Sequence, residues 1–410
     1  MEWEKREPGF RVPIKSWCRE VEPGALRQAE NLARHPKVFS HVALMPDCHE
    51  GFGMPIGGVI ACEDAVIPNA VGVDIGCGMG AIETNLEADA QDRKTIRLFL
   101  DACKARIPLG EGNCHSRAQA WHGFQRYLEE NSISLHAKTS WPGWMDERAW
   151  ELALKNLGTL GGGNHFIEIQ KAEDGSLWLM LHSGSRNLGY RIASYYHKLA
   201  QRLMERQAQE LPTRDLAFLL VDSEEGHLYL RDMLFALSYA AENRRRMLEV
   251  LKEEAAKCFK GVEFGKEINI HHNYACEEKH FGRRVWVHRK GATSAQEGEE
   301  GIIPGSMGTP SYIVCGLGNA ESFRSCSHGA GRRMGRKEAC RSLSLAECQQ
   351  MMGDVVFDGF RRLNKGKKEQ ALYDLEEAPL AYKNIEEVIS QELDLIKPSL
   401  KLYPLGVLKG

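Results

Sequence analysis

Short apolar runs punctuated by glycine and proline dominate the first part of the chain, and helical periodicity takes over further along. Val42–Met45 and Gly57–Ala61 read as strands. Residues 93–106 and 118–130 carry their apolar positions at helical spacing and predict amphipathic helices. Segment 131–148, with Trp141-Pro142-Gly143-Trp144, reads as a loop or insertion. Residues 164–170 and 177–183 alternate as the arms of a β-hairpin turning at Glu173-Asp174-Gly175. From Ile192 to about Glu210, and from Leu228 to Lys260, the pattern is helical with a polar face. Strands return at 285–288 and 311–315, helices at 336–360 and 384–396, and an extended tail closes the chain at Val407–Gly410. There is no internal repeat, heptad array or low-complexity tract. Residues able to do chemistry are scattered from 47 to 409, so distant segments must converge, which favours one integrated α+β domain over 1–410.

With 43% hydrophobic residues in 410, the chain can bury a sizeable core. Its N-terminus, Met1-Glu2-Trp3-Glu4-Lys5-Arg6-Glu7, lacks the apolar segment of a signal peptide. The longest aliphatic run, Leu216–Val221, is too short to cross a bilayer, so a cytoplasmic location is expected. Twelve irregularly spaced cysteines with no CxxC pair do not form a disulfide framework, and free thiols are available as metal ligands.

A net charge of −3 excludes a uniformly basic nucleic-acid binder but not a local basic patch. The clusters Arg244-Arg245-Arg246 and Arg361-Arg362 with Lys365, Lys367 and Lys368 read as solvated faces. Those at His288-Arg289-Lys290 and Arg332-Arg333 lie beside glycine- and histidine-rich segments, where a phosphate-rich ligand fits.

The sharpest chemical signal is Val73-Asp74-Ile75-Gly76-Cys77-Gly78-Met79, which sets a hard carboxylate and a soft thiol three residues apart among glycines. A thiolate can bridge two borderline-soft divalent ions, so the pair suggests a mixed-ligand transition-metal site. The plain alternative is a small apolar cysteine in a turn. Four histidine segments shift the balance toward metal: Gly163-Asn164-His165, Leu181-His182-Ser183-Gly184, Ile270-His271-His272-Asn273 and Ser327-His328-Gly329. Asp, Cys and His drawn from distant segments form the donor set of Mn, Fe, Co or Zn sites with open positions. The loop Ile302–Ser311 is rich in small residues and hydroxyls and can cradle phosphate, though it is no Walker A loop and equally reads as a Gly/Pro turn. In His328-Gly329-Ala330-Gly331-Arg332 an imidazole stands near an arginine, a pairing suited to attack on phosphorus, while a general base or a further metal ligand is the other reading.

Together these segments resemble the RtcB family of RNA ligases. Met45-Pro46-Asp47, Gly72–Met79, Gly158–Gly161, Gly163–Glu168, Leu181–Arg186, His272-Asn273, His288–Ala292, Pro304–Gly308, His328–Arg332, Ala381-Tyr382-Lys383 and Lys409-Gly410 follow the family's order along nearly the whole chain. The resemblance implies a single domain with mixed sheets around a central dinuclear metal pocket. It also implies a GTP-dependent, two-manganese ligase that joins an RNA 3′-phosphate or 2′,3′-cyclic phosphate to a 5′-hydroxyl, in tRNA splicing or RNA repair. By analogy Cys77 bridges both ions, Asp74 and His165 complete one site, and His182 and His272 complete the other. His328 would take GMP from GTP. Asn164, Glu168, Ser306, Ser311, Tyr382 and Lys409 would contact the guanylate, and Arg186, Lys290 and Arg332 the phosphates or RNA. Any archease-type activator would be a separate protein. His271 beside His272 leaves the ligand choice open, and the acidic, cysteine-bearing loop 110–117 puts substrate preference in question. A metallo-hydrolase without ligation, or a non-catalytic RNA-binding module, are the competing classes.

Overall fold

Local sequence sets the helices. In Arg93–Arg106 the buried positions Ile96, Phe99, Leu100 and Cys103 recur at helical spacing, and Asp92 caps the start by accepting from Thr95 N at 2.7 Å. In Glu224–Cys258 the cap is Ser223, with Glu224 and Glu225 in the first turn where the helix dipole favours acid. The computed structural model describes residues 1–363 and 371–410, so Lys365, Lys367 and Lys368 lie outside the described residues.

Two large sheets organise the α+β fold. One runs in the order Trp3–Lys5, Ile14–Ser16, Val38–Phe52, Met54–Cys62, Arg283–Lys290, Asn273–His280. The other runs Phe264–His271, Gly78–Glu87, Ser176–Ser183, Phe166–Ala172, Ile396–Lys409, Ser311–Gly316, Glu300–Ile303. A short pair, Ala292–Ser294 with Ser325–Ser327, leads into His328. Val59, Ala61, Val285 and Val287 of the first sheet share a core with Ile303, Tyr312 and Ile396 of the second, which joins the sheets. Among the described residues no helix is long and apolar enough to cross a membrane.

Strand alternation in the second sheet separates core from site. Leu177, Leu179, Leu181, Ile167 and Ile169 face the helix-covered core with Phe99 and Leu100, each apolar burial contributing roughly 1.5–3 kcal/mol. The residues between them, Phe166, Glu168, Met180 and His182, belong to the opposite face, and the register pairs Phe166 with His182 and Glu168 with Met180.

Several boundaries differ from the sequence reading. The 336–360 helix is two helices, Arg336–Ser342 and Leu345–Met352, because Ser344 caps a fresh start and Gly353 at φ 48° ends it. The 384–396 helix is only Ile385–Ser390. The tail is a strand from Ile396 to Lys409, whose Pro398 and Pro404 are accommodated beside register shifts. The helix expected from Ile192 begins at Arg186, directly behind the Leu181–Arg186 motif.

Candidate metal and nucleotide site

Three strand edges deliver the metal-type side chains. Cys77 lies just before the strand Gly78–Glu87, His182 near the end of the adjacent Ser176–Ser183, and His272 just beyond Phe264–His271 on the other side. His272 N donates to Cys77 O at 2.9 Å, which fixes the two segments side by side. His165 immediately precedes the strand Phe166–Ala172.

The side chains converge on one buried point. Cys77 Sγ is 3.4 Å from His165 Nε2 and 3.2 Å from His182 Nε2. His182 Nε2 is 3.3 Å from His272 Nε2, and Asp74 Oδ2 is 3.3 Å from His165 Nε2. His165 Nδ1 meets Leu160 O at 2.9 Å and His182 Nδ1 meets Asn164 O at 3.1 Å. Those carbonyls hold a proton on each Nδ1, so both Nε2 atoms turn lone pairs toward the sulfur. Two imidazole nitrogens and a thiol sulfur converging on one point suit a cation, and a carbonyl behind each ring is the usual support of a metal-bound histidine. Burial, followed by His165, pushes the His182 imidazole well below its usual range, and burial with His328 does the same for His272. Both are therefore in the neutral, ligating form. Burial pushes the Cys77 thiol up, so an adjacent cation is what would make it a thiolate. The donor set of one carboxylate, one thiol and three imidazoles fits manganese or a neighbouring transition ion.

Gly184 allows this packing, since a Cβ there would collide with the Asp74 carboxylate. Arg186 sits at φ 59°, uncommon for a side chain this large, with Nη1 3.3 Å from His165 Nδ1.

Arg244 sets the two consecutive histidines apart. This residue, read as solvated from its triplet, is fully buried: Nη2 lies 2.9 Å from His271 Nδ1, Nε donates to Asn269 Oδ1 at 2.7 Å, and Nη1 donates to Gly76 O and Ser183 O. His271 is thereby held away from the cluster and His272 faces it. Ala240, Arg244, Met247 and Leu251 are all buried at helical spacing, a periodicity that could have flagged Arg244. Arg245 and Arg246 do pair outward, with Glu242.

His328 stands beside the cluster, its ring 4.7 Å from that of His272. Asp47 Oδ2 accepts from His328 Nδ1 at 2.6 Å and from His328 N at 3.1 Å. Asp47 is fully buried, and its sequence motif gave no hint of this contact. Gly291, at φ 58°, leaves room for the ring, because a Cβ there would approach His328 Cε1 to 3.1 Å.

From His328 a cavity of about 610 Å³ extends over Asn164, His182, Ser306, Arg332, Tyr382 and Lys409. Glu377, in the same wall, escaped the sequence reading because Glu376-Glu377 resembles an ordinary solvated acidic pair. It accepts from Arg332 Nη1 at 3.2 Å and Arg336 Nε at 3.1 Å, binds the Tyr382 hydroxyl, and lies 3.6 Å from Lys409 Nζ. The Arg332 guanidinium stacks over Tyr382. Glu168 and Ser311 are buried behind this wall, joined through Gln170 Nε2 at 2.6 and 3.2 Å, and burial raises the Glu168 carboxyl against the pull of Lys409. Ser311 Oγ accepts from Gly305 N and Thr309 Oγ1 from Ser306 N, which shapes the Pro304–Gly308 turn.

The 288–290 cluster points inward. His288 Nε2 accepts from Ile67 N at 3.0 Å, and Arg289 Nη1 donates to Glu278 Oε1 at 2.5 Å. Lys290 Nζ donates to Phe52 O at 2.5 Å and Asn69 O at 3.1 Å, and burial lowers it to about 7. Lys290 does not line the cavity.

Comparison with known proteins completes the description. A family model described as tRNA-splicing ligase RtcB matches residues 28–410. The chain is 39% identical over 414 residues to the RNA-splicing ligase RtcB of Escherichia coli K12, covering 97% of this chain and 98% of that one. It is 31% identical over 446 residues to the tRNA-splicing ligase RtcB of Thermococcus kodakarensis, covering 94% of this chain and 91% of that one. The family model and the relatives agree: the chain belongs to the RtcB family of ligases.

Proposed function

We propose that this protein is a GTP- and manganese-dependent RNA ligase that joins RNA 3′-phosphate or 2′,3′-cyclic phosphate ends to 5′-hydroxyl ends, in tRNA splicing or RNA repair. The observation that carries the reading is His328, held at Nδ1 by buried Asp47 and placed between the cysteine–histidine cluster and the cavity.

Asp74, Cys77, His165, His182 and His272 would hold the manganese ions. Bound there, the ions supply Lewis-acid stabilisation of charge on phosphoryl oxygens. The chain's own residues do the rest. With its proton kept on Nδ1 by Asp47, His328 presents the Nε2 lone pair to the α-phosphorus of GTP. A P–N bond forms as the bond to pyrophosphate breaks, and pyrophosphate departs with the electron pair. Arg332 and Lys409, cations in the cavity wall, would offset phosphate charge. Oxygen of an RNA 3′-phosphate then displaces His328 from the guanylyl phosphorus, giving an RNA-ppG end. The 5′-hydroxyl oxygen attacks the RNA phosphorus, loses its proton, and GMP leaves. A 2′,3′-cyclic phosphate is first opened by water.

The test has two readouts. Incubation with GTP and Mn²⁺ is expected to yield a GMP adduct by intact mass that His328→Ala lacks. A broken stem-loop with 3′-phosphate and 5′-hydroxyl ends is expected to be sealed only with GTP. An undiminished adduct in the variant removes His328 as the nucleophile, and cyclic-phosphate hydrolysis without GTP or joining selects the metallo-hydrolase instead.

A further inference from the structure

A second buried carboxyl lies against the segment that carries His328. Ser327 N donates to Glu392 Oε2 at 2.8 Å, and the next main-chain donor, His328 N, goes to Asp47 Oδ2 at 3.1 Å. Consecutive peptide groups of the nucleophile's own segment are thus held by two carboxyls, both fully buried. Asp47 has the imidazole of His328 as its hydrogen-bond partner. Glu392 has no ion pair among the described residues. Three oxygens around this segment are buried without a partner: Asp47 Oδ1, Ser327 Oγ and Glu392 Oε1.

A carboxylate buried with no cation, near a second carboxylate, is costly, and the usual outcome is that it keeps its proton. As an acid, Glu392 would still accept from Ser327 N on one oxygen while its hydroxyl donates to an acceptor. Ser327 Oγ and Asp47 Oδ1 are the unpartnered acceptors beside the segment, reached directly or through a buried water. We propose that Glu392 is a positioning residue which, as a neutral carboxylic acid, fixes the Ser327–His328 main chain and thereby aims His328 Nε2 into the cavity. Burial first, with the Asp47 charge adding to it, pushes the Glu392 carboxyl well above its usual range, in line with this role.

The inference rests on the proposed function only for its kinetic consequence, so the test reads chemistry and state separately. In the infrared difference between wild type and Glu392→Gln at neutral pH, a carboxylic-acid carbonyl band is expected, and a carboxylate band alone overturns the proposal. Crystal structures are expected to keep the Asp47–His328 hydrogen bond in Glu392→Gln, whose amide both accepts and donates, and to lose the ring orientation in Glu392→Ala. An unmoved His328 in Glu392→Ala overturns it too. For the GMP adduct, Glu392→Gln should stay within about twofold of wild type while Glu392→Ala slows at least tenfold at saturating GTP with little change in KM. Equal loss in both variants also overturns it. Should Glu392→Ala fail to fold, the infrared band and Glu392→Gln still decide. If wild type itself forms no adduct, the ligase reading falls, and the infrared and crystallographic results still judge Glu392.

Discussion

Asp47 grips His328 twice with a single oxygen: Oδ2 takes both the main-chain N–H at 3.1 Å and the ring Nδ1–H at 2.6 Å. The grip fixes the tautomer and the rotation of the ring together. Of the ring nitrogens, only Nε2 is left free of Asp47, an arrangement shared with the histidine of catalytic triads.

Asp47→Asn should therefore leave the fold intact and slow GMP-adduct formation by about 10⁴-fold, the loss seen when a triad aspartate is replaced and the tautomer is no longer set. Rapid-quench mass spectrometry of the adduct measures it. A rate within tenfold of wild type would assign the carboxylate to packing alone.

Cys77→Ser should abolish most manganese binding, since the sulfur is the atom within 3.4 Å of both His165 and His182. Metal content after gel filtration reads this directly. Chelation should lower the melting temperature of the wild type, because metal bound only by the folded state stabilises it, and leave Cys77→Ser nearly unmoved. Retention of full metal by the variant would relocate the site.

Glu377→Ala should weaken nucleotide binding more than it slows chemistry. Its carboxylate gathers Arg332, Arg336, Lys409 and the Tyr382 hydroxyl, and without it the three cations repel one another and the group loses its positions. The KM for GTP should rise about tenfold or more, a loss on the order of 1.4 kcal/mol in binding. Steady-state kinetics of adduct turnover test it, and a lowered kcat with unchanged KM would contradict it.

How much of this was legible in the chain depends on where each side chain's partners lie. Cys77 and His182 announce themselves, because glycine and serine around a strand end make little sense as packing. The strand pair 164–170 and 177–183 was legible for the same reason, its turn residues being explicit; in the structure it spans Phe166–Ala172 and Ser176–Ser183. Asp47 follows the apolar run Val42–Met45, and nothing local says that its partner lies 281 positions away. Arg244 was misread because its triplet hides the buried face of a long helix, and the last strand because prolines argue against sheets.

Acid should destabilise the fold before carboxylate titration becomes dominant. Burial holds His35, His41, His49 and His288 down to about 4, whereas unfolded imidazoles titrate near about 6.5. Below about 6.5 the unfolded chain therefore binds protons that the folded one refuses, and stability falls until about pH 4. Each imidazole contributes a slope of up to about 1.4 kcal/mol per pH unit over that window. Urea unfolding at a series of pH values checks the sign: a midpoint flat or rising from pH 6.5 down to 4 would refute it.

The neighbouring imidazoles of residues 271 and 272 make the edge strand Phe264–His271 vulnerable to a sliding error. Displaced by a single position, it would still offer the cluster an imidazole, but from the wrong residue and with every other side chain inverted. Arg244 works as a pawl against that slip, since it grasps Asn269, His271, Gly76 and Ser183 at once and can do so in only one alignment. Fidelity of assembly would thus be guarded by a buried cation that does not line the cavity.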